Sequence, residues 1–90
     1  MYFLAKVRID RRKLAELAGA LKDGALDRSR LKTTHCLAND PAVGFALWEA
    51  DDRAHFDAIF APHATFYAEV LEVNQVITPP EAMAALVATS

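Results

Sequence analysis

Ninety residues, 53% of them apolar and 24% charged, bound the protein to one folded domain and exclude a disordered chain. Ten basic against twelve acidic side chains leave a net charge of −2, and a pI near 5.8 argues against nucleic acid as a partner. A single cysteine, Cys36, excludes an intrachain disulfide and a multi-cysteine zinc site.

Tyr2 to Ile9 alternates in polarity and predicts a strand, with Phe3, Ala5, Val7 and Ile9 on one side. Asp10 is an N-cap for a helix carrying Leu14, Leu17, Ala18 and Leu21, and Gly24 is its stop. Arg11, Arg12 and Lys13 oppose the dipole of that helix. Leu31 to Leu37 predicts a second strand, Ala38 to Ala42 a turn, and Val43 to Glu49 the returning strand of a hairpin. Asp51 or Asp52 caps a second helix with an apolar stripe at Phe56, Ile59 and Phe60, which Pro62 ends or kinks. Ala68 to Ile77 predicts a fourth strand, bulged near Glu72 to Asn74. Thr78-Pro-Pro-Glu81 is a capping box opening a short apolar helix over Ala82 to Val87.

This order, β-α-β-β-α-β with a tail helix, is the ferredoxin-like α+β arrangement: a four-stranded antiparallel sheet with both helices on one face. Residues 1–90 are expected to form one such domain, with 78–90 as a C-terminal helix packing on a dimer partner. The other sheet face is left open. Pairing Leu37 with Val43 sets His35 against Phe45, Thr33 against Leu47 and Leu31 against Glu49, a set suited to the covered face. The open face then receives Lys6, Arg8, Lys32, Thr34, Cys36 and Trp48 over a floor of Gly44 and Ala46. Lys6, Arg8, Lys32, Thr34 and Trp48 are therefore the candidate ligand-binding residues, for an anionic organic molecule with an apolar body. The competing expectation is that Lys6 and Arg8 pair with Glu49, Glu69 or Glu72.

The stretch Gly44-Phe-Ala-Leu-Trp-Glu-Ala-Asp-Asp-Arg-Ala-His-Phe-Asp-Ala-Ile-Phe60, with Val70-Leu-Glu-Val and Thr78-x-x-Glu81-Ala82, resembles the dimeric α+β barrel superfamily. It is most similar to the small stand-alone members, and distantly to muconolactone isomerase. The resemblance covers residues 43–82 and, by pattern, 2–9. It implies a homodimer formed through the open sheet face. Members include isomerases, cofactor-free monooxygenases, haem-degrading enzymes and proteins without known activity.

Other constellations carry less. His55 and His63 lie eight residues apart, about 12 Å along an ideal helix, too far for one metal ion. His35 and Cys36 are neighbours in a strand and point to opposite faces. Glu49, Asp51 and Asp52 form an acidic cluster best explained by capping and ion pairing. Gly44-Phe-Ala-Leu-Trp lacks the basic residue and second aromatic of the RNA-binding RRM strand. No run reaches the ~18 apolar residues of a membrane span, and the N-terminal residues have no basic leader, so a cytoplasmic location is expected. No cofactor, no metal, no nucleic acid and no membrane partner is expected. Two function classes stand: a homodimeric binding or structural module, and a small enzyme, an isomerase or cofactor-independent monooxygenase, acting in a cavity between two sheets.

Overall fold

In the computed structural model, residues 1–89 are described. They form β1 (Tyr2–Ile9), a 3-10 turn (Arg11–Lys13), α1 (Leu14–Lys22), β2 (Leu31–Leu37), β3 (Asp40–Glu49), α2 (Arg53–Ala64), β4 (Tyr67–Val76) and α3 (Pro79–Thr89). The strands make one antiparallel sheet in the order β2-β3-β1-β4, the ferredoxin-like topology expected from the element order.

Local chemistry explains the boundaries. Asp10 accepts from the Arg12 backbone N–H at 3.0 Å and caps the 3-10 turn. Two of the three basic residues that oppose the helix dipole are engaged locally. Arg12 folds back onto the Asp10 carboxylate at 3.1 Å, and Lys13 donates to the Thr65 carbonyl at 2.7 Å. After Lys22 the chain reaches Gly24 at φ +70°, a left-handed conformation that glycine adopts without penalty. Asp52 caps α2 by accepting from His55 N–H at 2.7 Å. Thr78 and Glu81 form the reciprocal capping box: Glu81 accepts from the Thr78 N–H at 3.3 Å, and Thr78 accepts from the Glu81 N–H at 3.4 Å.

Several details differ from expectation, beyond shifts of one to three residues at the ends of β4 and α3. Leu37 pairs with Asp40, so β3 starts at Asp40 and only Ala38 and Asn39 form the hairpin loop. Pro41 is tolerated there because it lies beyond the last β1 partner, Val43. Pro62 does not end α2, which runs on to Ala64, and the Pro62 carbonyl, left free near the helix end, accepts from Thr65 Oγ1 at 2.9 Å. The β4 register shifts fall at Ala68 and Leu71 rather than at 72–74.

The core lies between the sheet and α2. Phe56 stacks on Phe3 and on Phe60, each at 5.0 Å between ring centres, and Trp48 meets Phe60 edge-on at 6.2 Å. Phe3, Trp48 and Phe56 are at most 2% exposed. Each such side chain contributes about 1.5–3 kcal/mol of apolar burial. α1 and α3 contribute no buried residue, so of the three helices only α2 supplies side chains to the core.

This packing corrects the predicted faces of the hairpin. The predicted partners His35↔Phe45 and Thr33↔Leu47 are present, yet β1 sets Lys6 against Phe45 and Ala5 against Ala46. Phe45 and Leu47 therefore share the open face with Leu4 and Lys6. Thr34, Gly44, Ala46 and Trp48 share the helix-covered face with Ala5 and Val7. Trp48 turns inward because only that side offers α2 rings to pack against. Lys32 keeps its predicted side: the irregularity between Leu31 and Thr33 sets Leu31 opposite Trp48 and lets Lys32 Nζ reach Glu49 at 3.7 Å.

Candidate functional site

The five residues expected to share the open face are divided by the sheet. Lys6, Arg8 and Lys32 are on the open face, and Thr34 and Trp48 are on the covered one. The cations there are largely engaged. Arg8 pairs with Asp40 at 3.3 Å, Lys32 with Glu49 at 3.7 Å, and Lys6 sits 5.7 Å above the centre of the Phe45 ring. Arg8 thus takes an acidic partner, but from the turn end of β3 rather than from Glu49, Glu69 or Glu72. A pocket of about 430 Å³ lies on this face beside the root of α3, lined by Tyr2, Lys32, Leu47, Val76, Ile77 and Thr78. A hydrogen bond to the Glu49 carboxylate raises the Tyr2 phenol above its ordinary pKa, with the Glu49 charge acting in the same direction.

The covered face holds a different kind of site. α1 leans over β2, β3 and β1 without closing on them, and a cleft of about 210 Å³ remains beneath it. Its floor is small: Gly44 and Ala46, flanked by Val7, Thr34 and Cys36. Leu17 and Leu21 of α1 form the roof, and His63, Tyr67 and Arg28 stand at the sides. No carboxylate lines it among the described residues.

His63 is the most constrained polar group of the cleft. It is 6% exposed, and its ring lies edge-on to Trp48 at 4.7 Å. Its Nε2 lies 2.9 Å from the Asp27 carbonyl oxygen. A carbonyl only accepts, so Nε2 carries the hydrogen and the lone pair of the neutral ring is on Nδ1. The loop that receives this bond is itself braced: Asp27 Oδ1 accepts from Ser29 N–H at 2.9 Å, a bond that lowers the Asp27 carboxyl below its ordinary pKa. Burial pushes the Tyr67 phenol up from its ordinary value, so Tyr67 stays a protonated donor at neutral pH. Trp48 Nε1 is buried and has no hydrogen-bond partner among the described residues.

Neither His63 nor Arg28 was visible in the sequence as a site residue. His63 follows a proline that reads as a helix end, and Arg28 sits in a turn without periodicity. His55, by contrast, is a helix-terminus residue, accepting from the Asp51 N–H through Nδ1 at 2.9 Å. Among the described residues no group of three or more His, Cys, Asp or Glu side chains could hold a metal ion, and no helix is long and apolar enough to cross a membrane.

No protein-family model matches the chain, and no curated protein matches it in sequence. Solved structures do match in shape. The 5-chloro-2-hydroxyhydroquinone dehydrochlorinase of Burkholderia phenoliruptrix AC1100, solved in complex with 2,5-dihydroxybenzoquinone, superposes with a TM-score of 0.60 at 13% identity, over 90% of this chain and 98% of the other. A protein of Chloroflexus aurantiacus J-10-fl assigned as an antibiotic biosynthesis monooxygenase superposes with a TM-score of 0.50 at 16% identity, over 86% and 90%. At such identities the likeness is one of fold: the chain has the ferredoxin-like α+β architecture of these two structures.

Proposed function

We propose that the protein is a small-molecule enzyme that binds one planar oxygenated ring in the cleft beneath α1, and that it works as a homodimer. The observation that carries the first part is the cleft itself: a small-residue floor that admits a flat ring, beside a buried histidine whose tautomer is fixed. His63 Nδ1 is the proton acceptor, and Tyr67 is the donor for a ring oxygen. Both residues line the cleft. The dehydrochlorinase of similar shape acts on a hydroxylated ring, which supports a ring-binding reading.

The dimer rests on a separate observation. The open face exposes Tyr2 and Ile77 beside the half-buried Leu4, Phe45, Leu47 and Val76, and α3 exposes Met83 and Leu86 at 66% and 68%. A second copy facing this sheet and covering α3 would bury on the order of 1,200–2,000 Å². A purely structural dimer needs this surface and not the cleft.

The test uses 2,5-dihydroxybenzoquinone and hydroquinone as probes, followed by amide resonances. Shifts at Gly44, Ala46, Leu21 and His63 are expected. Shifts confined to Tyr2, Leu47 and Ile77 would overturn the cleft reading. His63→Gln should keep probe binding while losing turnover, whereas equal turnover would remove His63 from the chemistry. Light scattering that finds a monomer at micromolar concentration would remove the dimer.

A further inference from the structure

The cleft does not end at its apolar floor. A second cavity of about 330 Å³ adjoins it, lined by Arg28, Leu31, Lys32, Thr33 and Thr34. Arg28, Leu31 and Thr34 line both, so the two spaces meet at these three side chains. One is apolar and shaped by small residues. The other is polar, with two cations and two hydroxyls, and no carboxylate lines either among the described residues.

The two cations are not equivalent. Lys32 is tied to Glu49 at 3.7 Å on the opposite face, and the neighbouring Arg30 is shared between Glu49 at 3.8 Å and Asp51 at 3.9 Å. The Arg28 side chain makes no ion pair or hydrogen bond among the described residues, although Asp27 is its neighbour in sequence. Asp27 cannot turn to it freely, since its carboxylate caps the Ser29 N–H. Arg28 itself is held in place through its backbone: its carbonyl accepts from the Leu31 N–H at 3.1 Å. An uncommitted guanidinium on a braced turn, at the junction of an apolar slot and a polar one, presents a planar fork of donors to a ligand spanning the two.

We infer that the ligand is an aromatic acid: a ring on the Gly44–Ala46 floor carrying a carboxylate that reaches the Arg28 guanidinium and the Thr34 hydroxyl. This rests on the ring-binding reading above and adds the acidic group. The two cavities are lined by cations and hydroxyls beside their apolar residues, while the nearby carboxylates of Asp27 and Glu49 are held by the Ser29 N–H and by Lys32. Among the described residues the Arg28 side chain has no partner for the ligand to displace, and no carboxylate lines either cavity. A neutral ring would occupy the same slot and leave the guanidinium in water, with no gain at the junction.

The test compares benzoate with benzyl alcohol, which keep the ring and differ in charge, by amide shifts and calorimetry on the intact protein. Arg28 and Thr34 are exposed, so benzoate should bind about two- to fivefold tighter than benzyl alcohol, and Arg28→Gln should remove that difference while leaving the alcohol unchanged. Arg28→Lys should restore part of it. If both ligands shift the cleft resonances with equal affinity, the acid is overturned and the ring reading survives. If the benzoate preference persists in Arg28→Gln, the assignment to Arg28 is overturned. If neither ligand shifts Gly44 or Ala46, both readings fall. Circular dichroism of Arg28→Gln separates a lost contact from a lost fold.

Discussion

Adding one methyl group at Gly44 should raise stability and lower ligand affinity together. Gly44 lies in the interior of β3, and its φ is not positive, so alanine adopts the same backbone without strain. A Cβ there would sit 3.5 Å from Cys36 Sγ, 3.6 Å from the His35 carbonyl oxygen and 4.0 Å from Val7 Cγ2, all ordinary contacts. Glycine in a strand interior costs about 0.5–1 kcal/mol relative to alanine, so Gly44→Ala should gain about that much. The same methyl rises from the floor of a cleft of only 210 Å³. Overpacking of a fitted site costs roughly 1–3 kcal/mol, which is about fivefold to more than a hundredfold in affinity, and a cleft open at one side belongs near the lower figure. The control is Gly19→Ala in α1. A Cβ at Gly19 meets nothing within 4 Å, and Gly19 does not line the cleft. It should gain up to about 1 kcal/mol from helix propensity and leave binding unchanged. Urea unfolding at fixed protein concentration reads the stability. Quenching or shift of Trp48 emission on titration with benzoate reads the binding, since Trp48 is the only tryptophan and touches the cleft residue His63. A Gly44→Ala protein that is more stable and binds as well as the parent would show that the cleft is not the site. A less stable one would show that the floor is already filled.

Phe56→Ala removes the middle ring of a three-ring stack that is 1% exposed and should cost about 3–5 kcal/mol in urea unfolding, a large part of the stability of a domain this size; a loss below about 2 kcal/mol would contradict the packing described. Thr78→Ala removes the hydroxyl that accepts from the Glu81 N–H and should cost about 1 kcal/mol, read as faster amide exchange in α3 with little change in the sheet. Asp10 is buried, and its carboxyl is held below the ordinary range chiefly by the Arg12 hydrogen bonds; its folded pKa lies below its unfolded one, so its contribution is complete above about pH 4 and disappears as pH falls through the folded value, and Asp10→Asn should flatten that part of the acid-unfolding curve. Deleting residues 82–90 should weaken self-association in light scattering far more than it lowers the unfolding midpoint, because no residue of α3 is buried in the protomer.

The strands and caps were legible because each follows from local chemistry. β1 and β2 have the predicted ends, and the capping residues Asp10, Asp52 and Thr78 act as their types dictate. Hairpin pairing was legible only in its middle, His35↔Phe45 and Thr33↔Leu47; at its ends Leu37 pairs with Asp40 and Leu31 with Trp48, because the register shifts at both places. The face was not, because β3 is apolar on both sides: Phe45 and Leu47 on one, Ala46 and Trp48 on the other. Hydrophobicity cannot choose between two such sets; the choice is made by β1, whose unambiguous inner row Phe3, Ala5 and Val7 pairs with Trp48, Ala46 and Gly44.

That choice also determines where a ligand can sit. With the small residues turned outward, Gly44 and Ala46 would floor a surface covered by a second copy, as a sequence reading of β3 suggests. Turned inward, they leave the space beneath α1 unfilled. α2 fills its half of the covered face by packing Phe56 and Phe60 against Trp48 and Phe3 of the sheet, while α1 offers only Leu17 and Leu21 above the opposite half. A helix with no buried residue over a floor of glycine and alanine leaves a space that the protomer's own side chains do not fill. The residues that border this space come from parts of the chain with no shared periodicity. His63 comes from the last turn of α2, Tyr67 from the start of β4, and Arg28 from the turn before β2. Their convergence is a property of the β1–β3 register, which is why a one-residue inversion of β3 hides the whole site.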